Sequence, residues 1–249
     1  MTLAAELDDV HLAWAGLLEA EALLHGGRTW LHDGLLLAAT GLPAPQWNPS
    51  VAIGPPGPGA GDAVAEALRE GATAVLVPVT VAEPWAPVLE AAGLGPPEER
   101  GAMVRSTAVD ELEEAGLAVE GATLATLADH VRVQAQAYGD DPALLARWLA
   151  PMLDAPHIRL LTGRTRGEAV ASAMAVVHAP TGVAGIFGVG TVPTDRRRGF
   201  GTAITLAALA EAGRMGAHRA FVEPTPDAGS LYDRLGFTRI PGRLLWKQR

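Results

Sequence analysis

One stretch constrains the fold more than any other: a basic, glycine-containing loop that lies between a strand pattern and a helix pattern. Small and β-branched residues dominate 183–192, which indicates a strand, whereas Ala and Leu dominate 203–214, which favours a helix. A helix that begins after such a loop presents unpaired backbone N–H groups and partial positive charge at its N-terminus. The sequence therefore predicts an anion site there, with phosphate as its usual occupant.

The loop residues contribute to this prediction in different ways. Gly199 and Gly201 have no Cβ atom, so the backbone can approach a ligand closely. Arg196, Arg197 and Arg198 add positive charge and bidentate donors. The alternative is a solvated arginine cluster that opens a helix. The loop differs from a P-loop, which needs Gly-Lys-Ser/Thr, and from the Gly-x-Gly-x-x-Gly pattern of dinucleotide sites.

The pattern Arg196-x-x-Gly199-x-Gly201 resembles the acyl-CoA pyrophosphate loop of the GNAT superfamily of N-acetyltransferases. Residues 217–222 predict a further strand. The segment 231–237, Leu-Tyr-Asp-Arg-Leu-Gly-Phe, is similar to the superfamily ending Leu-Tyr-x-x-x-Gly-Phe. The loop, the strand and this ending follow one another in the expected order, which favours the family over a solvated arginine cluster.

The resemblance implies an acetyl-CoA site and a proton donor. The end of strand 183–192 would offer backbone groups to pantetheine and to the thioester carbonyl, and the loop amides would hold the pyrophosphate. Tyr232 matches the family tyrosine near the sulfur, where a phenol with a pKa near ~10 can protonate a leaving thiolate. The alternative is a tyrosine that only packs. The implied acetyl-CoA contacts are Gly190, Thr191, Val192, Arg196, Arg197, Arg198, Gly199, Phe200, Gly201, Thr202 and Thr225.

Two positions depart from the family pattern. Thr225 stands where the family often has Asn, seven residues before the tyrosine, and offers one donor instead of two. Strand 183–192 has no acidic residue where many members place a Glu that receives the amine proton. Glu223, at the end of the neighbouring predicted strand, is the leading catalytic replacement. The weaker alternatives are Asp129, His130 and His178, and an amine that is already neutral would need no base.

Composition excludes several functional classes. A net charge of −9 argues against a general nucleic-acid binder. The absence of cysteine excludes disulfides and Cys-based zinc sites, and the seven His residues lack metal-ligand spacing. The first residues lack the basic region of a signal peptide, and apolar runs such as 34–39 are too short to span a bilayer. We therefore expect a soluble, cytoplasmic protein without metal, with homodimer formation left open.

Charge and pattern divide the chain into two halves. Residues 1–115 carry 4 Arg and 17 acidic residues, whereas 116–249 carry 15 basic and 11 acidic residues. The segment that begins at Glu70, Glu-Gly-Ala-Thr-Ala-Val-Leu-Val, parallels Met-Gly-Ala-His-Arg-Ala-Phe-Val, which begins at Met215. The sequence thus predicts a degenerate GNAT-like domain at 1–115, which is structural or shapes the substrate site, and an acetyltransferase domain at 116–249.

The boundary is predicted in the acidic segment 110–116. In the first half, the loop at the corresponding place, 54–61, is rich in Pro and Gly and lacks basic residues. Its prolines remove backbone donors, so phosphate binding is not expected there.

The predicted fold class is α+β: a central, mixed but mostly antiparallel sheet flanked by helices, with a second, smaller half of the same kind. The first half is predicted to contain helices within 3–25, at 62–70 and at 84–94, and strands at 51–53, 71–78 and 101–105. The second half is predicted to contain an edge strand at 118–122, helices at 124–136 and 142–153, and antiparallel strands at 157–162, 169–178 and 183–192.

The leading functional prediction is an acyl-CoA-dependent N-acetyltransferase that acts on a primary amine of a small molecule or amino-acid derivative. The alternatives are a non-catalytic acyl-CoA sensor or regulatory module, and a chain whose first half serves self-association. The missing acidic residue on strand 183–192 favours the sensor, whereas Tyr232 favours the enzyme.

Overall fold

A computed structural model describes residues 3–44, 47–109, 116–225 and 227–248, with side chains from residue 9 onward. The chain forms two compact units. The N-terminal unit comprises Met1–Ala102 with Arg239–Arg249, and the C-terminal unit comprises Met103–Thr238. The predicted boundary after residue 115 lies at 110–115, outside the described residues, so the division into domains 1–115 and 116–249 stays a prediction.

The N-terminal unit combines three helices with short strands. Its elements are α1 (Leu3–Leu24), β1 (Arg28–His32), β2 (Leu35–Ala39), β3 (Ser50–Ala52), α2 (Ala60–Arg69), β4 (Ala74–Pro78), α3 (Ala82–Ala91), the first part of β5 (Glu98–Ser106) and nearly all of β11 (Thr238–Lys247). The strand order β1-β2-β3-β4-β11 is antiparallel except for the parallel pair β3–β4. Its core includes Trp85, Leu89 and Trp246.

The C-terminal unit contains the motifs singled out above. Its elements are the end of β5, then β6 (Ala118–Gly121), α4 (Leu127–Tyr138), α5 (Pro142–Leu149), β7 (Ile158–Thr165), β8 (Glu168–His178), β9 (Val183–Thr191), α6 (Phe200–Arg214), β10 (Arg219–Val222) and α7 (Gly229–Arg234). The strand order is β5-β10-β9-β8-β7-β6, and only β9 and β10 pair in parallel. The predicted fold class and the three antiparallel strands are confirmed.

Small residues allow the helices of this unit to pack closely on the sheet. Every residue of β8 from Ala169 to Val177 is buried, and α6 contributes Ala203, Ala208 and Ala212 to the same core. Both α4 and α6 contact β8 and β9. Gly139 ends α4 in the left-handed conformation. These contacts hold α4 and α6 against β9, and the carboxyl end of β9 leads into the arginine loop.

Three strands were not predicted from the sequence. Strands β1 and β2 form a hairpin whose turn places Asp33 and Gly34 at φ 47° and 85°. Asp-Gly is a recognised signal for such a turn, and the apolar run that follows it forms β2. Strand β11 contains Pro241 and Gly242, and the glycine is needed because a side chain there would collide with the Arg100 carbonyl.

Candidate functional site

Strand β9 separates from its neighbour β10 halfway along its length. The two strands pair from Val183 to Gly185, and over the described ranges the rest of β9 has no partner on β10. At the point of separation the rings of Phe187 and Phe221 meet edge to face, with centroids 5.7 Å apart. An unpaired strand edge can bind an extended ligand through backbone hydrogen bonds. The separation therefore leaves the backbone groups on this edge of β9 without a strand neighbour on β10.

A β-bulge lies in β9 just beyond this separation. Opposite β8, Met174 pairs with Phe187 but Ser172 already pairs with Gly190, so β9 has one extra residue between them. Gly188 adopts φ 57°, and the Ser172 hydroxyl donates to its carbonyl at 3.0 Å. A bulge bends the strand that carries it and redirects the residues beyond it. The bulge was not predicted from the sequence, although a glycine inside a strand pattern is a signal for it.

The arginine loop has the backbone shape of an anion site. Pro193–Asp195 form a short 3-10 turn, after which Arg197 and Gly199 adopt φ 66° and 84°. Left-handed residues of this kind turn backbone N–H groups into a common concavity. No side chain caps α6, which begins at Phe200, so its first N–H groups stay available. This geometry agrees with the anion site that the sequence predicts.

The three arginines are held differently. Arg196 donates to the carbonyls of Thr191 and Ala137, at 3.3 and 3.1 Å. Arg198 pairs with Asp195, and its guanidinium lies 4.8 Å from the ring centroid of Phe200.

Arg197 is exposed and forms no hydrogen bond or ion pair with any described residue. Its side chain is thus the arginine most available to an incoming phosphate.

The glycines near the loop serve different purposes. A Cβ atom at Gly190 would lie 2.7 Å from the Ala137 side chain, so packing against α4 requires glycine there. Gly199 is required by its positive φ. A Cβ at Gly201 would meet only Leu231, at an ordinary 3.5 Å. The protein itself thus leaves room for a side chain at Gly201. A ligand bound close to the backbone at this position would not leave that room.

Tyr232 lies in α7 with its side chain almost buried. It is 6% exposed and packs edge to face on Phe237, with centroids 5.4 Å apart. Among the described residues, no hydrogen-bond partner is found for its hydroxyl. Burial, together with the nearby Tyr138, raises the pKa of Tyr232 well above its ordinary value. The phenol is therefore fully protonated at neutral pH, as a proton donor must be.

The backbone of Val192 is already used within the protein. Its N–H donates to the Val170 carbonyl at 2.9 Å, and its carbonyl accepts from the Asp195 N–H at 3.0 Å. Gly190 and Thr191, which precede it, end β9; Gly190 is buried and Thr191 is partly exposed. Thr225 is exposed, and Thr202 lies partly exposed in the first turn of α6.

Glu223 directly follows β10 and is partly exposed. Because β9 and β10 run parallel, the carboxyl ends of both strands point to the same edge of the sheet. The register of the pair, in which Phe221 lies opposite Gly185, puts Glu223 level with Phe187, where the two strands separate.

The three weaker base candidates are engaged elsewhere. Asp129 accepts a hydrogen bond from Arg164 at 2.7 Å, which holds the pKa of that carboxyl below its usual value. His130 is fully buried, and burial lowers its pKa to about 4. His178 pairs with Val183 at the opposite end of β9 from the loop. The structure does not bring these residues to the carboxyl end of β9.

The Pro/Gly loop of the N-terminal unit is filled by the chain itself. A Cβ atom at Gly57 or Gly59 would collide with the Asp33 carboxylate, so this acidic group occupies the concave side of loop 54–61. The Gly57 N–H donates to the Asp33 carbonyl at 3.0 Å. A carboxylate at this place repels an anion, which agrees with the expectation that the loop binds no phosphate.

The described part of the chain lacks two features of other functional classes. Over the described ranges, no helix is both long and apolar enough to cross a membrane. In the same part of the chain, no three His, Asp or Glu residues lie close enough to hold a metal ion.

Comparison with known proteins points to one family. The sequence model of the Acetyltransferase (GNAT) family matches residues 106–237, which is more than half of the chain. No curated protein matches the chain.

Solved structures share the fold at low sequence identity. A GCN5-related N-acetyltransferase from Kribbella flavida superposes with a TM-score of 0.71 at 20% identity, over 89% of each chain. A structure from Novosphingobium aromaticivorans, assigned to the GNAT family, gives 0.60 at 17% identity over 94% of each chain. A conserved protein of unknown function from Staphylococcus epidermidis gives 0.59 at 13% identity, over 90% of this chain and 94% of that one.

Proposed function

The chain belongs to the acetyltransferase (GNAT) family, and from this premise we propose that it transfers the acetyl group of acetyl-CoA to a primary amine of a small molecule or amino-acid derivative. The observation that carries the proposal is the continuity of the site. The unpaired edge of β9 runs directly into a loop with two left-handed residues, Arg197 and Gly199, and then into the uncapped N-terminus of α6. An extended thioester with a pyrophosphate at one end has this shape.

The residues present fit acetyl-CoA in three places. The N–H groups of the loop and of the first turn of α6 would bind the pyrophosphate, with Arg197 as the available cation. The backbone of Gly190 and Thr191 would pair with the amide-containing pantetheine arm, as a strand pairs with a neighbour. Gly201 would leave room for the phosphate oxygens, because only Leu231 lies near the position of a Cβ atom.

Acetyl transfer also needs two proton movements. As the C–N bond to the amine forms and the C–S bond breaks, the amine nitrogen loses a proton and the sulfur gains one. We assign the second role to Tyr232, whose raised pKa keeps it protonated. We assign the first to Glu223, directly or through a water, because it follows β10 at the level where β9 and β10 separate.

Turnover with a panel of primary amines tests this function. Free thiol released from acetyl-CoA should rise above the rate without amine for at least one amine, and the product should carry one acetyl group by mass. If acetyl-CoA binds and no amine on a broad panel releases thiol, the chain is an acyl-CoA-binding module instead. The absence of an acidic side chain on β9 is the observation that favours this second function.

Replacing Glu223 by Gln should lower kcat/KM on the order of 10-fold, because the amide keeps the shape of the side chain but cannot accept the amine proton. The loss should be largest near neutral pH, where the amine is still mostly protonated, and should shrink as the pH approaches the pKa of the free amine. An equal loss at every pH would contradict the role as base. The measurement is a pH profile of both proteins with the best amine.

Only the C-terminal unit should bind CoA, and we propose that the N-terminal unit is a degenerate GNAT-like copy with a structural role. Calorimetry with CoA should give one site per chain, because Asp33 fills the loop 54–61 and no basic residue lies in it. Replacing Arg197 by Ala should weaken that single site. Two sites per chain, or CoA bound near Gly57 in a crystal, would contradict the prediction.

A further inference from the structure

The last turns of α4 contact the β9 bulge at three consecutive residues. A Cβ atom at Gly188 would lie 2.5 Å from the Gln134 amide nitrogen, and one at Gly190 would lie 2.7 Å from the Ala137 side chain. Between them, the Tyr138 hydroxyl donates to the Val189 carbonyl at 2.8 Å. Each bulge residue therefore has at least one neighbour on α4.

Gln134 is itself fixed by a buried polar chain. Its amide nitrogen lies 3.0 Å from His130 Nε2, and His130 Nδ1 lies 3.1 Å from the Thr162 hydroxyl on β7. An amide NH₂ group can only donate, so His130 accepts at Nε2 and carries its proton at Nδ1. All three side chains are at most 3% exposed. Because buried polar groups are costly to leave unpaired, the hydrogen bonds that join Gln134, His130 and Thr162 hold Gln134 against Gly188.

The opposite side of β9 gives no such support. Strand β10 stops pairing at Gly185, so over the described ranges no strand neighbour on that side fixes the residues after the bulge. Strand β8 continues to pair with Gly190 and Thr191. Arg196 links the two elements once more, since it donates to Ala137 on α4 and to Thr191 on β9. The direction of β9 beyond the bulge is thus determined by β8 and α4.

We propose that Tyr138 is a positioning residue for acetyl transfer, which holds the Val189 carbonyl so that the end of β9 presents its backbone to the thioester. This inference rests on the proposed function. Tyr138 is 47% exposed as a whole residue, and its hydroxyl hydrogen bond is aimed at the strand that would contact the thioester. Displacement of a bound reactant by a fraction of an ångström slows a reaction far more than it weakens binding.

Tyr138→Phe is the direct test, because it keeps the ring beside Gly190 and removes only the hydroxyl. The variant should lower kcat on the order of 10-fold, while the KM and the calorimetric Kd for acetyl-CoA stay within about twofold. Thr181→Val is the matched control: it also deletes a hydroxyl, but one whose hydrogen bonds lie in the β8–β9 turn at the other end of β9. The control should turn over at the wild-type rate.

A second readout does not depend on activity. Peptide-resolved hydrogen exchange should be faster in 188–192 of Tyr138→Phe than in the wild type, with the rest of the C-terminal unit unchanged. Wild-type kcat together with wild-type exchange would overturn the inference, as would a parallel loss of acetyl-CoA affinity and thermal stability. If the wild type acetylates no amine, the proposed function fails, and the exchange data still decide whether Tyr138 holds the bulge.

Discussion

Gly201→Asp should abolish CoA binding while the C-terminal unit stays folded. The added carboxylate would point into the space where the pyrophosphate is expected, next to the N–H groups that would bind it. We expect the Kd for CoA to rise about 100-fold or more, equivalent to roughly 2.7 kcal/mol. The fold should tolerate the change, because a Cβ at this position meets only Leu231 at 3.5 Å. An acidic side chain in the first turn of a helix is also favourable.

Gly201→Asn separates charge from size in this experiment. The two side chains have nearly the same shape, so a steric effect should appear equally in both variants, whereas electrostatic repulsion should appear only with Asp. The measurements are calorimetric titration with CoA and thermal unfolding followed by circular dichroism. Native unfolding together with unchanged affinity in Gly201→Asp would mean that the loop serves another purpose. Gly199 is a poorer test position, since its φ of 84° would strain any side chain.

The helix after the glycine loop could be predicted because its signals are local. The helix start and the Leu-Tyr-x-x-x-Gly-Phe ending are each encoded within a few neighbouring residues. The sequence therefore predicted α6 and the direction of its N-terminus correctly. The family model and the fold of the solved structures confirm the GNAT assignment. The individual roles of the site residues stay predictions.

Features that depend on distant residues were not predictable in the same way. Arg196, Arg197 and Arg198 look equivalent in the sequence, yet one is tied to the Ala137 carbonyl and another to Asp195. Asp33 fills the loop 54–61 from more than twenty residues away in the chain. The α4 contacts with the bulge join residues about fifty positions apart. Single-sequence patterns contain no record of such pairings, so only the folded chain shows them.

Tyr232→Phe should reduce kcat on the order of 10²-fold or more and leave acetyl-CoA affinity nearly unchanged. The substitution keeps the ring and its edge-to-face contact with Phe237, and removes only the hydroxyl. Among the described residues that hydroxyl has no hydrogen-bond partner, so the variant should be at least as stable as the wild type. A large kinetic loss without a loss of stability is the signature of a group that acts on the substrate.

The pH dependence of the wild type gives an independent check on Tyr232. Burial raises its pKa above the ordinary value, so the acid form that donates the proton persists to higher pH than that of a free tyrosine. The phenol therefore does not ionise between about pH 8 and 10. Over this range we expect the wild-type kcat to show no decrease that can be attributed to loss of the Tyr232 proton, so the pH profiles of the wild type and Tyr232→Phe should have the same shape. Steady-state turnover of both proteins across this range, beside their thermal unfolding, is the measurement. If Tyr232→Phe acetylates the best amine at the wild-type rate, Tyr232 is not the acid, and the thiolate must take its proton from water or from the amine.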